Sequence, residues 1–109
     1  MDTRTTITTI ISSVDLVVEA LCRDYDRRVA AIKQKRLSRR TEVELKYINF
    51  KMLEAAREIV GDLAEIYIIE IGKRRGYAKS KIECESETSY KNKKQEVKRN
   101  IAKKLHLCD

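Results

Sequence analysis

The sequence predicts an all-α fold of three to five helices, and three features point there. Proline is absent and glycine occurs only at 61, 72 and 76, so the two strongest helix breakers are nearly missing. Lys, Arg, Glu, Ala, Leu and Ile fill much of the chain, whereas a β-rich fold with many tight turns needs more Gly, Pro, Asn and Asp. Apolar residues recur at three- and four-residue steps over long stretches, the period of an amphipathic helix. With 109 residues, 42% of them hydrophobic and 38% charged, the chain is expected to form one folded domain. Within it, residues 1–60 read as a scaffold, a long N-terminal helical hairpin, and residues 62–107 as a helix-turn-helix-like head.

Residues 1–12 are rich in Thr, Ile and Ser and read as an irregular arm. Ser12 or Ser13 can cap the helix that follows, and with Ser12 as the cap Asp15 completes a weak variant of the capping box. Val14, Val17, Val18, Leu21, Cys22, Tyr25, Val29 and Ile32 then share one face of a helix over 14–35. After a basic connector at 35–40, Thr41 and Glu44 form a second capping box and open a helix over 42–60. Its expected inner face is Leu45, Ile48, Met52, Ala55, Ala56 and Ile59, while Phe50 and Leu53 lie off that stripe and offer a second contact surface. Gly61 reads as the end of this helix and Asp62 as the cap of the next. Residues 63–71 are apolar enough for a buried strand, but no other strand is predicted, so a helix is expected, stopped by Gly76. After a polar stretch at 77–85, Ser86 caps a last helix over 87–105, with Tyr90, Val97, Ile101 and Leu105 as its apolar positions.

Catalysis has little to stand on. The only histidine, His106, lies three residues from the end, no glycine-rich phosphate loop is present, and Asp24, Asp26, Glu65 and Glu70 show no pairing that singles them out. A non-enzyme without metal or cofactor is expected. Cys22, Cys84 and Cys108 are odd in number and lack CxxC spacing, which argues against a disulfide framework or zinc site and for a reducing cytoplasm. Cys22 reads as a small core residue. No secretory leader is read at the N-terminus, and the longest apolar run is far below the ~18 residues of a membrane span. A cytoplasmic location with no membrane partner is therefore expected.

The net charge of +7 points to polyanions, nucleic acid before an anionic membrane surface. It is unevenly placed. From Lys73 to Lys104 there are twelve Lys or Arg against four Glu, and with Asp109 this stretch holds the whole net charge while residues 1–72 balance. A basic module on a near-neutral scaffold is a footprint of nucleic-acid binding. Gly72 and Gly76 have the spacing of a close helix crossing followed by a turn, with Ile71, Tyr77 and Ile82 as apolar anchors. Arg75 and Glu85 stand where such a motif usually has core residues. The expected DNA contacts are Ser80, Thr88, Ser89, Tyr90, Lys91, Lys93 and Lys94, with Lys73, Arg74, Arg75, Lys79, Lys81, Lys98 and Arg99 on phosphates.

The order Ile71-Gly72-x-x-x-Gly76-Tyr77-x-x-Ser80, then Ser86-x-Thr88-x-Tyr90-x-x-Lys93-Lys94, then Ile101-Ala102-x-x-Leu105, resembles the C-terminal half of small phage-type transcription regulators of the RinA/ArpU kind. The resemblance covers about residues 62–107. It implies a helix-turn-helix like region 4 of sigma factors, its second helix opening with Ser-x-Thr-x-Tyr. Here the stretch between Tyr77 and Ser86 is long for a tight turn, and Ser89 stands where a second aromatic is often found. The recognition helix then starts near Lys79 or near Ser86, with Ser86 preferred. The leading expectation is a double-stranded-DNA-binding regulator. The alternative is a helical interaction module that dimerises through its first two helices.

Overall fold

The structure is a computed structural model that describes residues 3–82 and 86–107, with side chains from Ser13 onward. It is all-helical, as expected. Five α-helices occur in the order α1 (Thr3–Arg23), α2 (Tyr25–Gln34), α3 (Arg39–Val60), α4 (Ala64–Gly72) and α5 (Glu87–Lys104). Single 3-10 turns at Gly61–Leu63 and Tyr77–Lys79 join them. No strand forms at 63–71 and no helix among the described residues is long and apolar enough to cross a membrane. Cys84, Glu85 and Cys108 lie outside the described residues.

The N-terminal elements differ from expectation in an instructive way. Helix α1 begins at Thr3, so residues 3–12 are helical and Ser12 and Ser13 lie inside the helix instead of at its start. β-branched residues cost a helix only tenths of a kcal/mol each, too little to stop one that the following turns already hold. The helix read over 14–35 is interrupted at Asp24, where ψ is 4°. The hydrogen bonds Asp24 N–H to Ala20 O and Arg28 N–H to Asp24 O run across this break. The single-residue break lets one rod serve two partners: α1 packs on α4 and α5, whereas α2 packs on α3 and the edge of α4. The hairpin partner of α3 is thus α2 and not the whole stretch 14–35. Helix α3 itself starts three residues early, because Ser38 is its cap and accepts from the Thr41 N–H at 3.3 Å.

Helix α3 is the centre of the molecule, with α5 covering it most extensively and α4 beside it. Scaffold and head therefore share one core: Val18, Cys22 and Tyr25 meet Met52, Ala55 and Ala56, Ile68 and Ile71, and Val97, Ile101 and Ala102. Polar clasps reinforce the α3–α5 contact. Lys104 lies 3.1 Å from Glu54 and 2.7 Å from Glu58, and Asn100 donates to the Ala55 carbonyl at 2.8 Å. Between α2 and α3 the buried Arg28 donates to Asn49 Oδ1 and to the Leu21 carbonyl, both at 2.6 Å.

Cys22 is 2% exposed, and burial pushes its thiol pKa up to about 12. A thiol held protonated is a poor nucleophile. Native protein is expected to leave Cys22 unlabelled by a thiol reagent at about pH 8, with labelling appearing on unfolding. Peptide mapping that finds Cys22 rapidly modified in the native state would contradict this placement.

Candidate nucleic-acid interface

The end of α4 shapes the basic region. The helix stops at Gly72, four residues before the expected Gly76, and Arg74 takes the left-handed conformation at φ 53°. The Arg75 N–H reaches the Glu70 carbonyl and the Arg74 N–H that of Ile71, each at 3.1 Å, which is a Schellman ending. Gly72 is needed for another reason. It lies against α1, where a Cβ would come within 2.6 Å of the Arg23 nitrogen. Gly76 is extended, with open space around it. So the first glycine does serve a close helix crossing, but the helix it meets is α1, while the second only opens the 3-10 turn at Tyr77–Lys79, its carbonyl accepting from the Lys79 N–H at 3.1 Å.

The following loop is fastened to α5 through Glu70. This carboxylate is 1% exposed and collects three donors: Ser80 Oγ and Tyr90 OH at 2.6 Å on Oε1, and the Lys81 N–H at 3.0 Å on Oε2. Burial alone raises its pKa. The hydrogen bonds from Ser80, Tyr90 and Lys81 and the charge of Arg75 outweigh that and hold the carboxyl below its ordinary value. The Tyr90 ring packs between Tyr67 and Tyr77, at centroid distances of 6.0 and 5.9 Å. Lys94 stands over the Tyr90 ring and donates to the Arg75 carbonyl at 2.7 Å. Its pKa is drawn down by burial and by the neighbouring Lys98 charge.

These contacts sort the expected DNA residues into two groups. Tyr90 is a core residue and Ser80 is spent on Glu70, which removes both from a DNA surface. Ser89 is half-buried, its N–H donating to the Ser86 cap. Lys94 closes the loop, and Lys98 and Arg74 converge on Glu19 from α1 at 3.5 and 3.0 Å. Together Arg74, Lys94 and Lys98 line a groove of about 420 Å³ with Leu16, Glu19 and Ile71. Arg75 is half-buried. Lys73, Lys79, Lys81, Thr88, Lys91, Lys93 and Arg99 remain exposed, as does Arg74 beside its Glu19 partner, and Lys91 pairs with Glu87 at 3.1 Å.

Helix α5 begins at Glu87 under the Ser86 cap, whose Oγ accepts from the Ser89 N–H at 3.1 Å, so the start near Ser86 is the helical one. The segment from Tyr77 to Lys79 is a single 3-10 turn. Residues 73–86 separate α4 from α5, and the two helices touch only narrowly, so no tight helix-turn-helix turn joins them. Tyr90, Val97 and Ile101 turn inward, leaving Thr88, Lys91, Asn92 and Arg99 at helical spacing on the solvent side.

Sequence reasoning missed Glu70 and Glu19 as organising carboxylates. The signal for Glu70 was a lone charge inside an apolar run, Ile66-Tyr67-Ile68-Ile69-Glu70-Ile71. Nothing local marks Glu19, whose cations come from 55 and 79 residues away. No family model, curated protein or solved structure matches the chain.

Proposed function

We propose that the protein binds double-stranded DNA without catalysing a reaction, using the solvent side of α5 and the loop before it. The row Thr88, Lys91, Asn92 and Arg99 on the exposed side of α5 carries this reading. Hydroxyl, amide and cationic heads at that spacing suit phosphate oxygens and base edges. Lys73, Lys79, Lys81 and Lys93 add exposed cations with no ion-pair partner among the described residues. The narrower role we infer, transcription regulation by a phage or mobile-element protein, is supported by the resemblance to the RinA/ArpU kind, and a cytoplasmic location by the cysteine usage. A homodimer through the N-terminal helices is the second part of the proposal, favoured by apolar side chains left exposed on α3.

Fluorescence anisotropy with a labelled duplex tests the DNA reading. Affinity is expected to fall steeply with salt, with a log–log slope of about −0.9 per phosphate contacted. Lys91→Glu with Arg99→Glu should weaken binding by at least about tenfold, since phosphate contacts dominate affinity. Arg27→Glu with Lys33→Glu, the same charge change on α2, should weaken it far less. No binding at low salt, or equal losses in the two variants, would sink the proposal.

A further inference from the structure

Helix α3 carries an apolar row that the monomer does not cover. Val43, Tyr47 and Phe50 are 58%, 50% and 61% exposed, at successive steps of four and three residues on one side of the helix. Isolated exposed apolar residues are ordinary, but three large ones in line mark an interaction face. Continuing the same spacing outward places Arg40 at one end of the row and Glu54 at the other. Glu44 and Lys51 flank it on one common side by helical rotation. Lys51 stands beside the aromatic pair, 5.8 Å from the Tyr47 centroid and 6.0 Å from that of Phe50.

That pattern is self-complementary. A two-fold axis at Tyr47 that sets two α3 helices antiparallel brings Arg40 of one copy opposite Glu54 of the other, and Glu44 opposite Lys51, each pair occurring twice. Val43 and Phe50 then face each other across the Tyr47 contact. A parallel pairing would set Arg40 against Arg40 and Glu54 against Glu54, so the charges select the antiparallel one. The intrachain pairs given up are weak surface ones, Arg40–Glu44 at 3.3 Å and Lys51–Glu54 Oε2 at 3.7 Å; Glu54 keeps Lys104 of α5 on Oε1 at 3.1 Å and offers Oε2 to Arg40 of the second copy. Lys46, the cation nearest the axis on the other flank, is neutralised by Glu42 at 3.1 Å.

We propose that a second copy of this chain covers the Val43–Tyr47–Phe50 face, forming an antiparallel α3–α3 dimer. The inference rests on the homodimer reading and not on DNA binding. Sedimentation velocity of the intact chain up to roughly 500 µM tests it, a range suited to a small helix–helix interface. The wild type is expected to dimerise. Phe50→Lys should raise the dissociation constant by about 30-fold, as loss of a central aromatic anchor does. Glu44→Lys should weaken the dimer by about tenfold, and Glu44→Lys with Lys51→Glu should restore it. All three sites are outside the core, and circular dichroism confirms that the variants fold. A wild-type monomer throughout the range overturns both the homodimer and this interface. A dimer indifferent to Phe50→Lys, or not restored by the double exchange, leaves the homodimer standing and overturns the α3 face.

Discussion

Glu70→Ala is expected to destabilise the protein by about 3–5 kcal/mol, the cost typical of removing one partner from a buried charged network. The substitution removes the shared acceptor of the Ser80 hydroxyl, the Lys81 N–H and the Tyr90 hydroxyl in a site where the carboxylate itself is 1% exposed, and leaves Tyr90 with the longer 3.3 Å bond to the Arg75 carbonyl. It also frees the loop from α5, so DNA affinity should fall with stability even though Glu70 touches no ligand. Tyr90→Phe keeps the ring packing on Tyr67 and Tyr77 and removes the hydroxyl that donates to Glu70 at 2.6 Å and to the Arg75 carbonyl at 3.3 Å, and should cost only about 1–2 kcal/mol. The network also sets a pH dependence. Because the folded carboxyl titrates below its ordinary value of 4.5, its contribution is full above that value and is lost as pH falls through the folded pKa. Glu70→Gln should therefore flatten the acid limb of stability in part. It should not abolish it, since hydrogen bonds from Lys104 lower Glu54 and Glu58 in the same direction. Urea unfolding of the variants at neutral and acid pH checks both statements. A Glu70→Ala protein as stable as wild type would mean the network is not formed.

The second large effect is expected at Gly72. An added Cβ would lie 2.6 Å from the Arg23 nitrogen, 2.7 Å from the Cys22 carbonyl carbon and 2.8 Å from the Arg23 Cα. All three atoms are backbone, so no side chain can swing away and α1 must move off α4. Gly72→Ala gains about 1 kcal/mol of helix propensity, but overpacking of this kind costs more, and a net loss of about 1–3 kcal/mol is expected. Gly76→Ala is the matched control. It meets nothing within 4 Å at a φ of −84°, so it should be neutral or stabilise by about 0.4–1 kcal/mol through the unfolded chain. Thermal unfolding of the pair separates the two glycines. Equal midpoints would refute the close crossing of α1 and α4.

Much of the fold was legible in the sequence because its signals are local. The Ser86 cap, the Gly61 ending and the inward spacing of Met52, Ala55 and Ala56 depend on neighbours within a turn or two. Most of what escaped was non-local, the Arg74 ending of α4 being a local exception. Asp24 looks like any acidic residue, yet the chain changes helix partner there. Arg74, and not a glycine, adopts the left-handed conformation, because the Schellman bonds to Glu70 and Ile71 hold it. The exposed row on α3 was half seen: Phe50 stood off the expected core stripe, while Val43 and Tyr47 were not singled out. An apolar row at helical spacing reads alike whether it faces a core or open solvent.

The cationic stretch shows the same division. Composition and order alone determined that the protein is helical, that its net charge lies from Lys73 onward, and that Ser86 starts a basic helix. Those properties follow from side-chain chemistry and from hydrogen bonds within a few residues. Only the tertiary structure decided which cations face outward. Lys98 and Arg74 meet Glu19 on α1, Lys94 meets the Arg75 carbonyl, and Tyr90 is drawn into the core by Glu70. Lys91, Lys93 and Arg99 stay exposed. The reason is physical. A charge run fixes how many cations a helix carries, but the partners that draw Lys94 and Lys98 inward come from 19 and 79 residues away.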